Sequence, residues 1–152
     1  MLGAAVMLAL AACQPSASVA TPLGRSESGL AQVPLTIGSH GSSHRFTVEV
    51  AANAADQERG LMYRQTLAPD AGMIFPLPRP QVATFWMKNT YISLDLVFVR
   101  ADGTIANIAE KAVPMSLDIV PSDGPVSAVL EIAGGRSAEL GIRVGDRVSW
   151  PH

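Results

Sequence analysis

Leu94-Asp95-Leu96-Val97-Phe98-Val99-Arg100, followed by Ala101-Asp102-Gly103 and then Thr104-Ile105-Ala106-Asn107-Ile108-Ala109, is the stretch that decides the fold. Two apolar runs flank an Asp-Gly pair, and both residues tolerate the positive φ of a tight turn. The stretch therefore predicts a β-hairpin. Working outward, Phe46, Val48 and Val50 alternate with Arg45, Thr47 and Glu49, the pattern of a half-buried strand over Arg45–Val50. A partner strand is expected at Val33–Ile37, joined to it by the Gly/Ser/His loop of residues 38–43. Val126–Ile132 and Arg147–Trp150 read as further strands, and Ala83–Lys88 as another.

Helical signals are few. Asn53 can cap a helix from Ala54 to about Arg64, with Asp56 and Gln57 in its first turn. Gly60 inside that span costs about 1 kcal/mol against Ala, so the helix ends early there or a neighbour packs closely on it. A second short helix is expected at Ser137–Leu140, stopped by Gly141. Pro69, Pro76, Pro78 and Pro80 mark an irregular middle that holds one short strand, Gly72–Phe75. The sum is a mostly β domain, a β-sandwich or pseudo-barrel, with one or two short helices.

The first residues carry a different message. Residues 1–12 are uncharged and apolar, too short to span a bilayer but the length of an export signal's apolar core. They end in Leu10-Ala11-Ala12-Cys13, which resembles the lipobox of bacterial lipoproteins, where the cysteine is lipidated and the chain cut before it. The basic leader of such a signal is missing, so its start is expected to lie upstream of Met1 or to have been trimmed. Cys13 is the single cysteine, so no intrachain disulfide is possible. Residues 13–32 are rich in Ser, Ala, Pro and Gly and are expected to form a tether reaching about 25 Å. The folded domain is then residues 33–152. Gln14 after the cysteine points to the periplasmic face of the outer membrane, by resemblance to lipoprotein sorting. The net charge of −2 and the lack of a basic run give no support to nucleic-acid binding, so the membrane enters only through the lipid.

Five segments together resemble one family: Glu58-Arg59-Gly60-Leu61-Met62-Tyr63-Arg64, Gly72-Met73-Ile74-Phe75, Phe85-Trp86-Met87-Lys88-Asn89-Thr90, Leu94-Asp95 with Phe98, and Val129-Leu130-Glu131 before Gly134. The chain is similar to members of domain of unknown function 192. The resemblance implies a β-rich fold of pseudo-barrel character and brings no activity with it.

The chemistry must come from the residues. No Gly-x-Ser-x-Gly turn supplies a nucleophile. His40 and His44 are four apart in a Gly/Ser loop, without further zinc ligands nearby. Met62, Met73, Met87 and Met115 offer thioethers that a soft metal such as Cu(I) would accept, although methionine also fills irregular cores. Asp95 lies between leucines and Glu131 between Leu130 and Ile132, settings where a charge needs a partner. Asp95 paired with Lys88 or an arginine would be structural. Alternatively, Trp86, Lys88, Asn89 and Asp95, with Arg59, Arg64 and Glu131 nearby, would line a pocket for a small molecule, a glycan or an envelope protein. An enzyme would use Asp95 and Glu131 as an acid–base pair. No cofactor is indicated.

Overall fold

The computed structural model describes residues 23–151. The expected export signal and Cys13 lie outside these residues. The elements are β1 (Gly24–Arg25), β2 (Ala31–Ser39), β3 (Ser42–Val50), α1 (Ala54–Arg59), β4 (Ala71–Gln81), β5 (Thr84–Phe85), β6 (Leu94–Val99), β7 (Ile105–Ala112), β8 (Val120–Pro121), β9 (Val126–Ala133), α2 (Arg136–Leu140) and β10 (Arg147–Ser149). The described residues are mostly β with two short helices. Ordered pairing starts earlier than Val33: β1 and the first residues of β2 pair with one another inside the stretch expected to be tether.

Eight strands form one mixed sheet, in the order β1-β2-β3-β4-β9-β6-β7, with β10 sharing the outer edge of β2. The β2–β3 hairpin is longer than expected because His40 and Gly41 both take positive φ, 46° and 83°, making a two-residue turn. The hairpin read at Asp102-Gly103 is present as β6–β7. The bridge between Thr104 and Arg147, with Val148 N–H donating to the Gly103 carbonyl at 2.8 Å, brings β10 against the start of β7. One bridge is not a ladder, so the sheet curls round without closing into a barrel.

Strand alternation gives the sheet a core on each face. Leu35, Ile37, Val48, Ile74, Val97 and Leu130 belong to one cluster; Met73, Phe75, Leu94, Leu96, Phe98 and Val129 belong to the other. β6 lies between β9 and β7 with all six residues buried, which explains its nearly continuous apolar sequence.

β3 and β4 are parallel, and a parallel pair needs a crossover rather than a tight turn. Residues 51–70 supply it. Asn53 caps α1 by accepting from Asp56 N–H at 3.0 Å. The helix stops at Gly60 rather than Arg64: Gly60 has φ of 47°, and a Cβ there would lie 3.3 Å from the Phe75 ring. Both readings of that glycine hold together.

The proline stretch is a strand, not an irregular link. β4 runs on through Pro76, Pro78 and Pro80, past the last residue pairing with β3 at Ile74. The Pro76 carbonyl accepts from the Gln57 side chain at 2.8 Å instead of from a neighbouring strand. Prolines are tolerated because this margin of β4 has no ladder to feed. The pairing with β9 shifts register between Pro76 and Gln81.

Candidate functional site

Glu131 is the centre of the candidate site. On β9 it stands in register between Met73 of β4 and Leu96 of β6, both fully buried. Its side chain therefore rises from the second core face among apolar neighbours. Only 5% of the residue is exposed, and no hydrogen bond or ion pair reaches its carboxyl from the described residues. Burial alone pushes its pKa from 4.5 up to about 8, because the charged form has lost water and gained nothing in return. At neutral pH the group is largely a neutral acid, able to donate a hydrogen bond.

Above it lies a pocket of about 440 Å³, within the size range of small-molecule sites. Glu131 lines it together with Met62, Phe75, Phe85, Trp86 and Thr90. Three elements meet here: the end of α1 with Arg59 and Gly60, the extension of β4, and the β5 segment carrying Phe85 and Trp86. Phe75 and Phe85 stand edge to face at 5.1 Å, and Phe85 meets Phe98 in the same way at 6.2 Å. This row of rings fixes the wall to the core. Trp86 stays 44% exposed, and the Lys88 ammonium lies 5.0 Å from its ring centroid. Lys88 thus orients the indole through a cation–π contact rather than facing the pocket interior. Gln57 donates to the carbonyls of Ala51 and Pro76, stapling α1 to the chain around it.

Of the residues nominated from sequence, Trp86, Arg59 and Glu131 share this pocket, with Lys88 on Trp86. The others do not. Asp95 is fully buried and pairs with neither Lys88 nor an arginine. It accepts three backbone N–H bonds, from Lys111 at 2.8 Å, Gly135 at 2.7 Å and Ser137 at 2.8 Å, so it anchors the entry to α2. Asp95 and Glu131 also lie on opposite faces of the sheet, as the alternation of β6 and β9 requires, so they do not form the acid–base pair. Arg64 pairs with the buried Glu49 at 2.5 Å, and Ser28 donates to the other oxygen of the same carboxylate. Because the helix ends at Gly60, Arg64 is turned away from the Trp86 pocket and lines a different one. Asn89 takes a positive φ of 55° and ties down the Tyr63 loop: its carbonyl accepts from Tyr63 N–H and its side chain bonds the Tyr63 hydroxyl at 2.9 Å.

The methionines do not form one set. Met73 and Met87 are closed in the core, Met62 is a pocket wall and Met115 is exposed. Among the described residues no group of three His, Cys, Asp or Glu side chains is arranged to hold a metal. Sequence reasoning missed Phe75 and Gln57. Gly60, which lets Phe75 approach the helix end, was the available signal for the first of these.

A comparison with curated proteins finds no match. Two solved structures resemble the chain closely. One, from Novosphingobium aromaticivorans and described as a protein of unknown function, is 44% identical with a TM-score of 0.83, covering 92% of this chain and 100% of that one. The other, from Sinorhizobium meliloti and described as a proposed transcription regulator, is 42% identical with a TM-score of 0.78, covering 80% and 95%. The family model for domain of unknown function 192, described as an uncharacterised ACR family, matches residues 35–150. With that match spanning the whole sheet from β2 to β10, the chain belongs to the domain of unknown function 192 family.

Proposed function

We propose that this is a lipid-anchored domain of the bacterial cell envelope that binds a small molecule between Trp86 and Glu131. The observation carrying the reading is the Glu131 carboxyl: buried at the pocket, and met by no partner from the described residues. A buried polar group without a partner is costly, and a ligand bringing a hydrogen-bond acceptor would remove that cost. The indole offers a flat apolar wall on which a ring of a sugar or an aromatic group can stack, and Thr90 and Arg59 add polar contacts at the sides. The envelope location rests on the apolar run ending at Cys13.

A thermal-shift screen of neutral sugars and small amides on the purified full chain tests the site, with each hit repeated on Trp86→Ala and Glu131→Gln. Hits through this pocket should lose at least about tenfold in affinity on Trp86→Ala. Their binding should also fall as pH rises through 8, when the acid ionises and stops donating. Hits unaffected by both substitutions, or a screen without hits, would sink the proposal. Mass spectrometry of the mature N-terminus tests the anchor: an acylated Cys13 supports it, and an unmodified N-terminus removes it.

A further inference from the structure

A second cavity, about 540 Å³, adjoins the first across Leu77 and is built quite differently. Arg79, Arg100 and Arg147 all line it, three of the chain's eleven basic residues, although the chain as a whole is acidic. None of the three belongs to either ion pair found among the described residues. Two are held in place by backbone carbonyls: Arg100 donates to Ile105 at 3.1 Å and Arg147 to Asp102 at 2.6 Å. Each of those bonds uses one N–H of the five a guanidinium carries. Arg79 is exposed and makes no hydrogen bond or ion pair to a described residue.

Among the described residues the one carboxylate on this cavity, Asp102, is turned back into its own turn, accepting from the Thr104 N–H at 2.9 Å and hydroxyl at 2.7 Å. Those bonds first, and then the guanidinium groups of Arg147 and Arg100, hold its pKa below the ordinary carboxylate value. Among the described lining residues, three positive charges stand against one negative. Leu77, Pro78, Pro80 and Trp150 make much of the remaining wall apolar, and Ser127 and Ser149 add polar side chains to it. Guanidinium forks match the geometry of phosphate oxygens, and rigidly held ones lose little freedom on binding.

We propose that this cavity is a separate binding site for a phosphomonoester carried on an apolar body. The dianionic head would meet Arg79, Arg100 and Arg147, and the body would lie on Leu77, the prolines and Trp150. A free phosphorylated metabolite and the head of a phosphomonoester lipid share this chemistry.

The test uses the full chain carrying Trp86→Phe, which leaves Trp150 as the sole tryptophan and its fluorescence as a local readout. Phenyl phosphate should bind, weakening as salt is added, while inorganic phosphate binds at least about tenfold more weakly and phenol not at all. Arg79→Gln should weaken phenyl phosphate about tenfold, and Arg79→Gln with Arg147→Gln about a hundredfold. Arg147→Lys, which keeps the charge, guards against a folding defect in that variant. Stronger co-sedimentation with phosphatidylcholine vesicles containing phosphatidic acid than with phosphatidylcholine alone, measured above any baseline from a lipid on Cys13, would assign the lipid source. Phenyl phosphate binding without such sedimentation would assign the free one. Equal binding by the doubly substituted chain, or none up to about 10 mM, would overturn the proposal.

Discussion

Replacing Glu131 by glutamine removes the acid while keeping its shape, and the consequence for stability can be worked out with its sign. In the unfolded chain this carboxyl ionises at 4.5; in the folded protein it holds its proton until about pH 8. Below pH 4.5 it is protonated in both states and contributes nothing to pH dependence. Between the two values only the unfolded state gains from ionisation, so the folded state loses about 1.4 kcal/mol per pH unit. At pH 7 the accumulated loss is about 3 kcal/mol, and above pH 8 it levels off near 5 kcal/mol. Glutamine cannot ionise, so Glu131→Gln escapes this loss. Urea denaturation of both proteins from pH 4 to pH 9 gives the difference in unfolding free energy at each pH. Other titrating groups cancel in that difference, and any packing cost of the amide is a constant offset. The variant should gain on the wild type steadily from about pH 5 to pH 8, then hold level. A flat difference over that range would mean that Glu131 ionises normally in the fold, and the account of a buried, unpaired acid would fall.

Two further substitutions probe the frame around the pocket. Asp95→Ala leaves three backbone N–H groups, that of Ser137 buried, without their acceptor and should cost about 4 kcal/mol in urea denaturation, with Asp95→Asn costing about half; equal stability would refute its role as the anchor of α2. Gly60→Ala puts a Cβ 3.3 Å from the Phe75 ring at a φ of 47° and should cost about 2 kcal/mol, seen as a lower urea midpoint with unchanged slope.

The parts of the fold legible in sequence were those set by local chemistry. Asp102-Gly103 announced its hairpin, and Asn53 its helix, because a turn and a cap are decided within a few residues. The strand through Pro76, Pro78 and Pro80 was not legible. Whether proline is tolerated there depends on a neighbouring strand ending early, which no local pattern records. Asp95 and Glu131 make the same point for the site, since each is a carboxylate between apolar residues. Asp95 is satisfied by N–H groups some forty residues away, around the start of α2, whereas Glu131 faces Met73 and Leu96 and meets none. The two arginines near α1 separated for a simpler reason: continuing the helix to Arg64 would keep that residue with the helix, and Gly60 ends it first.

The proline-bearing end of β4 has a consequence beyond the pocket it helps to line. A bare strand margin normally offers a row of N–H donors on which another molecule's strand can assemble, the first step towards aggregation. Pro76, Pro78 and Pro80 carry no such donors, and Gln57 already occupies the Pro76 carbonyl. The chain can therefore leave this margin in solvent and still resist edge-to-edge polymerisation, without adding a strand to cover it.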